Sequence, residues 1–257
     1  MNRIEELFKH KSDRVLNVYF TAGYPQLDDT TAIMEQLEVS GADLIEVGIP
    51  FSDPIADGPT IQDSNGVALD NGMTLKLLLE QLKGVREKVS IPIILMGYIN
   101  PIVQYGIEQF CKDCQEIGVD GLILPDLPMF EYIEVHKPLF DKHGLLNIFL
   151  ITPQTSESRI RDIDENSSGF IYMVSSASTT GAKAQVSGDQ EAYFARIKAM
   201  DLKNPTLIGF GISNKETFDK ASANANGAII GSAFIKAISK EGNLNDNIDE
   251  FVKSVIS

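Results

Sequence analysis

Basic residues are scarce in this sequence: 22 Lys and Arg stand against 36 Asp and Glu, for a formal net charge of −14. Such a chain lacks the basic face that neutralises nucleic-acid phosphates, and an anionic membrane surface does not attract it. Long apolar runs are missing too, since no stretch approaches the roughly 18–20 residues that cross a bilayer. The opening segment MNRIEELFKHKSDR is charged throughout, so it has no signal-peptide core, and its acids argue against a transit peptide. Two cysteines are too few for a disulfide framework, which points to a reducing cytoplasm. These absences leave a cytoplasmic protein that binds neither nucleic acid nor membrane.

What is present is an ordinary globular composition, 43% apolar and 23% charged. Short runs rich in Val, Ile and Leu alternate with longer segments of helical spacing. The strands are expected at Val15–Thr21, Leu44–Gly48, Ile93–Gly97, Gly121–Leu124, Leu146–Thr152, Phe170–Ser175, Thr206–Gly209 and Ala228–Gly231. They are apolar at nearly every position, as strands of a parallel sheet covered on both faces must be. Eight such units within 257 residues match one (β/α)8 barrel, a TIM barrel, spanning 1–257. A doubly wound open sheet is the rival, but the turn after the first strand, Thr21-Ala22-Gly23-Tyr24-Pro25, carries no G-x-G-x-x-G. The extra N-terminal segment, with Ile4, Leu7 and Phe8 on one side, is expected to cover one barrel end.

Barrel chemistry sits at the C-terminal ends of the strands, and the residues there exclude several mechanisms. His10, His136 and His143 fall in helical segments, so histidine metal sites and Ser-His-Asp catalysis are not expected. No expected strand holds a lysine, which disfavours a Schiff-base aldolase. Cys111 and Cys114 have redox-motif spacing, yet they share a helical face with Ile107 and Phe110, where packing explains them better.

Glu46 stands out, because it lies inside the second strand among Leu44, Ile45, Val47 and Ile49. Two readings fit. Either a structural partner holds the carboxylate, or burial raises its pKa until it can donate and accept a proton near neutrality. Eleven residues on, Asp57 ends a loop long enough to fold back over the barrel mouth. Two carboxyls in different environments are the arrangement that separates acid and base roles. Three glycine-bearing turns form a second constellation: Thr180-Gly181 in the long Ser176–Gly188 loop, Gly209-Phe210-Gly211-Ile212-Ser213, and Gly231-Ser232-Ala233. Glycines admit an oxyanion to backbone N–H groups, and barrels commonly bind phosphate after strands seven and eight.

The segment from Ile45 to Gln62, IEVGIPFSDPIADGPTIQ, closely resembles the signature of the tryptophan synthase alpha chain family. The similarity continues through Tyr98-Ile99-Asn100-Pro101, Pro125-Asp126-Leu127-Pro128 and the glycine turns. The resemblance implies a barrel lyase that cleaves indole-3-glycerol phosphate to indole and glyceraldehyde 3-phosphate, with no cofactor and no metal. It implies a pyridoxal-phosphate-dependent beta chain as partner, in an alpha2-beta2 heterotetramer. Carried over by position, Glu46 and Asp57 match the two catalytic acids. Gly181, Phe210, Gly211, Gly231 and Ser232 match the phosphate site. Tyr172 falls near Glu46, and Thr180 falls in a lid that meets Asp57. Asp53, Asn100 and Pro101 fall at the partner interface. Tyr19 departs from the pattern, standing near the indole pocket where phenylalanine is frequent. The alternatives are another phosphate-binding barrel enzyme, or a barrel kept mainly as the beta chain's allosteric partner. Strand-end histidines and lysines needed by neighbouring enzymes are absent, and retention of both acids argues against a non-catalytic role.

Overall fold

Strands apolar at nearly every residue need cover on both faces, and the chain provides it by closing a parallel sheet inside a ring of helices. The computed structural model describes residues 2–54, 57–175, 188–209 and 211–257. Among these are nine strands: β1 (Val15–Thr21), β2 (Leu44–Gly48), β3 (Ile93–Met96), β4 (Gly121–Ile123), β5 (Leu146–Ile148), β6 (Leu150–Ile151), β7 (Ile171–Val174), β8 (Thr206–Gly209) and β9 (Gly227–Ile230). The helices are α1 (Arg3–His10), α2 (Thr30–Ser40), α3 (Pro59–Asp70), α4 (Leu75–Gln81), α5 (Ile99–Tyr105), α6 (Ile107–Ile117), α7 (Met129–Glu131), α8 (Lys137–Lys142), α9 (Glu157–Asn166), α10 (Gly188–Ala199), α11 (Lys215–Asn224), α12 (Ser232–Ile238) and α13 (Leu244–Ile256).

The strand order is β5-β4-β3-β2-β1-β9-β8-β7-β6, with every pairing parallel. Its two ends, β5 and β6, are separated in the chain by Phe149 alone. One extended segment therefore pairs with β4 on one side and β7 on the other, and Tyr172 N donates to Phe149 O at 2.9 Å across the seam. The single fifth strand expected from sequence is thus two short pieces, because the segment changes partner at Phe149. The number of barrel segments remains eight.

Alternate strand residues split the core in two. Val15, Leu44, Ile94, Ile123, Phe170 and Leu207 fill the barrel interior, while their neighbours pack under the helices. The N-terminal helix α1 closes the lower end, where Ile4 is fully buried in the interior cluster and Leu7 and Phe8 pack against it. Asn2 fixes its start, accepting from Ile4 N at 2.9 Å while Nδ2 donates to the carbonyls of Asp120 and Gly144. Asp120 gathers that end of the barrel, accepting from Arg3 Nη1 at 3.0 Å, Arg86 Nη2 at 2.5 Å and Ile93 N at 2.9 Å. Asp120→Ala should therefore destabilise the fold by about 3 kcal/mol, since it strands a largely buried guanidinium and a strand N–H. A fall in urea midpoint at unchanged slope would check this.

Cys111 and Cys114 lie buried beside Phe110 and Ile117 on one face of α6. Burial pushes the Cys111 thiol up to about 11 and the Cys114 thiol well above the ordinary range, the opposite of an activated redox pair. No described helix is long and apolar enough to cross a membrane.

Candidate active site

The inner faces of β1, β2 and β7 end at the C-terminal mouth, and there the expected residues converge. Tyr19, Glu46, Asp57, Tyr172, Gly211, Gly231 and Ser232 line one cavity of about 300 Å³. Glu46 reaches it by strand register, since it sits opposite Tyr19 across the β1–β2 pair. Asp57 reaches it by the return of the loop ahead of α3. Gly58 and Pro59 open that helix, and Gln62 Nε2 donates to the Asp57 carbonyl at 2.8 Å, holding the loop's end.

Both carboxyls are out of water, with Glu46 1% exposed and Asp57 7%. Burial pushes Glu46 from 4.5 up to about 8; a hydrogen bond from Asn17 opposes that rise and the nearby Asp57 charge adds to it. Burial alone raises Asp57 to about 6. Near neutrality the pair therefore holds one proton, kept mainly on Glu46, beside an ionised Asp57. The Tyr19 and Tyr172 hydroxyls are pushed well above their ordinary range, first by burial, and stay neutral.

Each tyrosine lies across a glycine of the next strand. A Cβ on Gly48 would collide with the Tyr19 hydroxyl, and one on Gly209 with the Tyr172 ring. Gly209, which reads in sequence as part of a phosphate turn, thus makes room for an aromatic wall. At the other end of the cavity Gly211, Ser213, Gly231 and Ser232 bring loops and the start of α12 together.

The remaining expected residues separate from the cavity or fall outside the description. Thr180, Gly181 and Phe210 lie outside the described residues. Asp53 is exposed on the loop after β2, where Ser52 Oγ donates to it at 2.6 Å. Asn100 and Pro101 open α5, whose Ile99 N–H donates to Asp126 at 3.0 Å. Sequence reasoning missed Ile61, Met96, Ile229 and Lys236 in the cavity wall. Met96 was findable from the period-two inner face of β3, and Lys236 from its place one helical turn beyond Ser232. Lys236 is the one cation among the described lining residues. No three described His, Cys, Asp or Glu side chains cluster as metal ligands would.

Fold and site together define a (β/α)8 barrel enzyme that keeps a carboxyl pair at its C-terminal mouth. The family profile described as "Tryptophan synthase alpha chain" matches residues 6–255. The chain belongs to the tryptophan synthase alpha chain family, lyases that cleave indole-3-glycerol phosphate in tryptophan biosynthesis. It is 58% identical over 255 residues to the tryptophan synthase alpha chain of Flavobacterium psychrophilum, covering 99% of this chain and 100% of that one. It is 55% identical to that of Parabacteroides distasonis, with 99% of each chain covered. Among solved structures it is similar to the tryptophan synthase alpha chain of Legionella pneumophila, with a TM-score of 0.88 and 35% identity over 99% of this chain and 95% of that one.

Proposed function

We propose that Glu46 and Asp57 carry the family's cleavage of indole-3-glycerol phosphate as an acid–base pair. The observation behind this is the pairing of a buried, proton-holding Glu46 with an ionised Asp57 in one cavity. Neutral Glu46 gives its proton to indole C3. Its carboxylate then removes the proton of the hydroxyl on the adjacent chain carbon. The O–H electrons form the aldehyde carbonyl, the C3–C bond breaks, and its electron pair restores the aromatic ring. Asp57 accepts a hydrogen bond from the indole N–H and stabilises the positive charge that builds on the ring. Tyr19 and Tyr172 wall the aromatic end. Gly211, Gly231, Ser232 and, by family position, Gly181 and Phe210 receive the phosphate, with Lys236 supplying a cation at that end. Thr180 closes over Asp57 by the same positional argument.

We further propose a pyridoxal-phosphate-dependent beta chain as partner, in an alpha2-beta2 assembly in the cytoplasm. Supporting this, Asn100 shares α5 with Val103, which is 56% exposed, and Phe130, four residues beyond Asp126, is 66% exposed. Apolar side chains left in solvent on the helix of Asn100 and Pro101, and on the segment after Asp126 that caps it, fit a docking face.

Indole release from indole-3-glycerol phosphate, with and without a beta chain, tests both readings. The rate should follow a bell. It rises as Asp57 ionises near pH 6 and falls as Glu46 loses its proton near pH 8. Absence of indole under both conditions would favour the non-catalytic partner role.

A further inference from the structure

We infer that Asn17 is a positioning residue for Glu46, holding one carboxyl oxygen so that the other is the atom that exchanges the proton with substrate. The inference rests on the reading of Glu46 given above. Asn17 is fully buried on β1, two residues before Tyr19 and so on the same inner face. Its Nδ2 donates to Glu46 Oε2 at 2.8 Å. Glu46 Oε1 is buried without a hydrogen-bond partner among the described residues.

A carboxyl on a free side chain turns easily about its last torsion, which makes its two oxygens interchangeable. The bond from Asn17 removes that equivalence. An amide N–H is only a donor, and it needs an oxygen lone pair whatever the protonation state. The carbonyl-type oxygen of a neutral acid accepts better than its hydroxyl, so Oε2 stays with Asn17 and the acidic proton sits on Oε1. Oε1, which has no partner among the described residues, is then the oxygen left for substrate. The same bond serves both halves of the reaction, because Oε2 keeps its donor when Oε1 gives up its proton and when it takes one back. Other titratable groups face Glu46 from separate elements. They are Tyr19 on β1, Asp57 ahead of α3, Tyr172 on β7 and, at the mouth, Lys236 on α12.

The test compares Asn17→Leu, which has the same branching of heavy atoms but no donor, with the unsubstituted enzyme in indole release across pH. Glu46→Gln runs in parallel, and binding of the unreactive indole-3-propyl phosphate is measured for each. Asn17→Leu should lower kcat by about 10–100-fold with KM changed less than about three-fold, as expected when a reacting group is misplaced while the binding site stays intact. Its basic limb should move up by about one pH unit, because the lost donor favoured the charged carboxylate. An unmoved limb overturns the inference whatever happens to kcat, since a merely structural asparagine would lower the rate without shifting it. A second measurement does not depend on the variant's folding. In the unsubstituted protein, the Asn17 side-chain amide resonances should titrate with the midpoint of the basic limb. Flat resonances overturn the inference. An active Glu46→Gln overturns the reading of Glu46 itself, whereas an inactive Glu46→Gln beside an unaltered Asn17→Leu removes Asn17 alone.

Discussion

Glu46→Gln should lose about a thousand-fold in kcat or more while becoming more stable than the unsubstituted protein. The rate effect follows from one carboxyl serving as acid and then as base, each role contributing typically 10²–10⁴-fold. Glutamine keeps the volume and an acceptor for Asn17, so binding of an unreactive phosphate analogue should stay within about three-fold. The stability effect follows from linkage. Glu46 titrates at about 8 in the fold against an ordinary 4.5. Between those values the folded chain holds a proton that the unfolded chain has released. Stability from this group is therefore full below 4.5 and falls as pH rises towards 8, by about 1.4 kcal/mol per unit. At pH 7 glutamine avoids about 3 kcal/mol of that cost. Urea unfolding at pH 7 and at pH 4.5 checks it, because the advantage should shrink at the lower pH. Substantial indole release by the variant would sink the acid–base assignment. An unchanged stability would instead say that the carboxyl is solvated in the fold.

Most of the fold was legible because two-faced burial leaves a strong mark. Runs such as Val15–Thr21 and Leu44–Gly48 are uniformly buried, and they read as parallel strands for that reason. Strand five was the exception. Nothing in Leu146–Thr152 marks Phe149 as the point where the segment leaves β4 for β7, since the change of partner is a property of closure. Helix boundaries failed for a related reason. Helical spacing runs on from Thr74 to Lys88, but α4 ends at Gln81 and a short 3-10 turn follows at Val85–Glu87. Gly84 in left-handed conformation separates the two, which apolar spacing alone does not reveal.

The site was legible where a residue violated its surroundings. Glu46 is an ionisable group in an apolar strand, and it reaches the cavity with Asp57 as the loop length allowed. Asn17 breaks the apolar run of β1 in the same manner, but an amide is a weaker anomaly than a carboxyl. Its meaning appears only with the β1–β2 register that sets it beside Glu46. In sequence the glutamate fits two roles, one held by a structural partner and one catalytic. The two are compatible, since Asn17 holds one oxygen and the other has no partner among the described residues. Net charge bears on the site only weakly. At −14 the chain looks unsuited to a phosphate, but a total says nothing of where Lys236 and the glycine turns stand.

Asp57→Asn should reduce kcat by about 10²–10³-fold, the usual effect of removing one group aimed at transition-state charge. The pH profile separates this role from simple packing. On the proposed mechanism the acid limb near pH 6 belongs to Asp57, which burial alone has raised from 3.8. Asparagine has no such ionisation, so that limb should vanish and leave the slow residual rate flat on the acid side. The basic limb should move as well. Burial is the main reason Glu46 keeps its proton, but the Asp57 charge adds to it. Removing that charge makes Glu46 a stronger acid, and its limb should fall to lower pH. Asn17→Leu moves the same limb the other way, because it removes a donor that favoured the carboxylate. Opposite shifts from two neutral substitutions on either side of one carboxyl are hard to obtain unless Glu46 carries the titration. If the acid limb persists in Asp57→Asn, it reports another group, and Asp57 loses its place in the reaction.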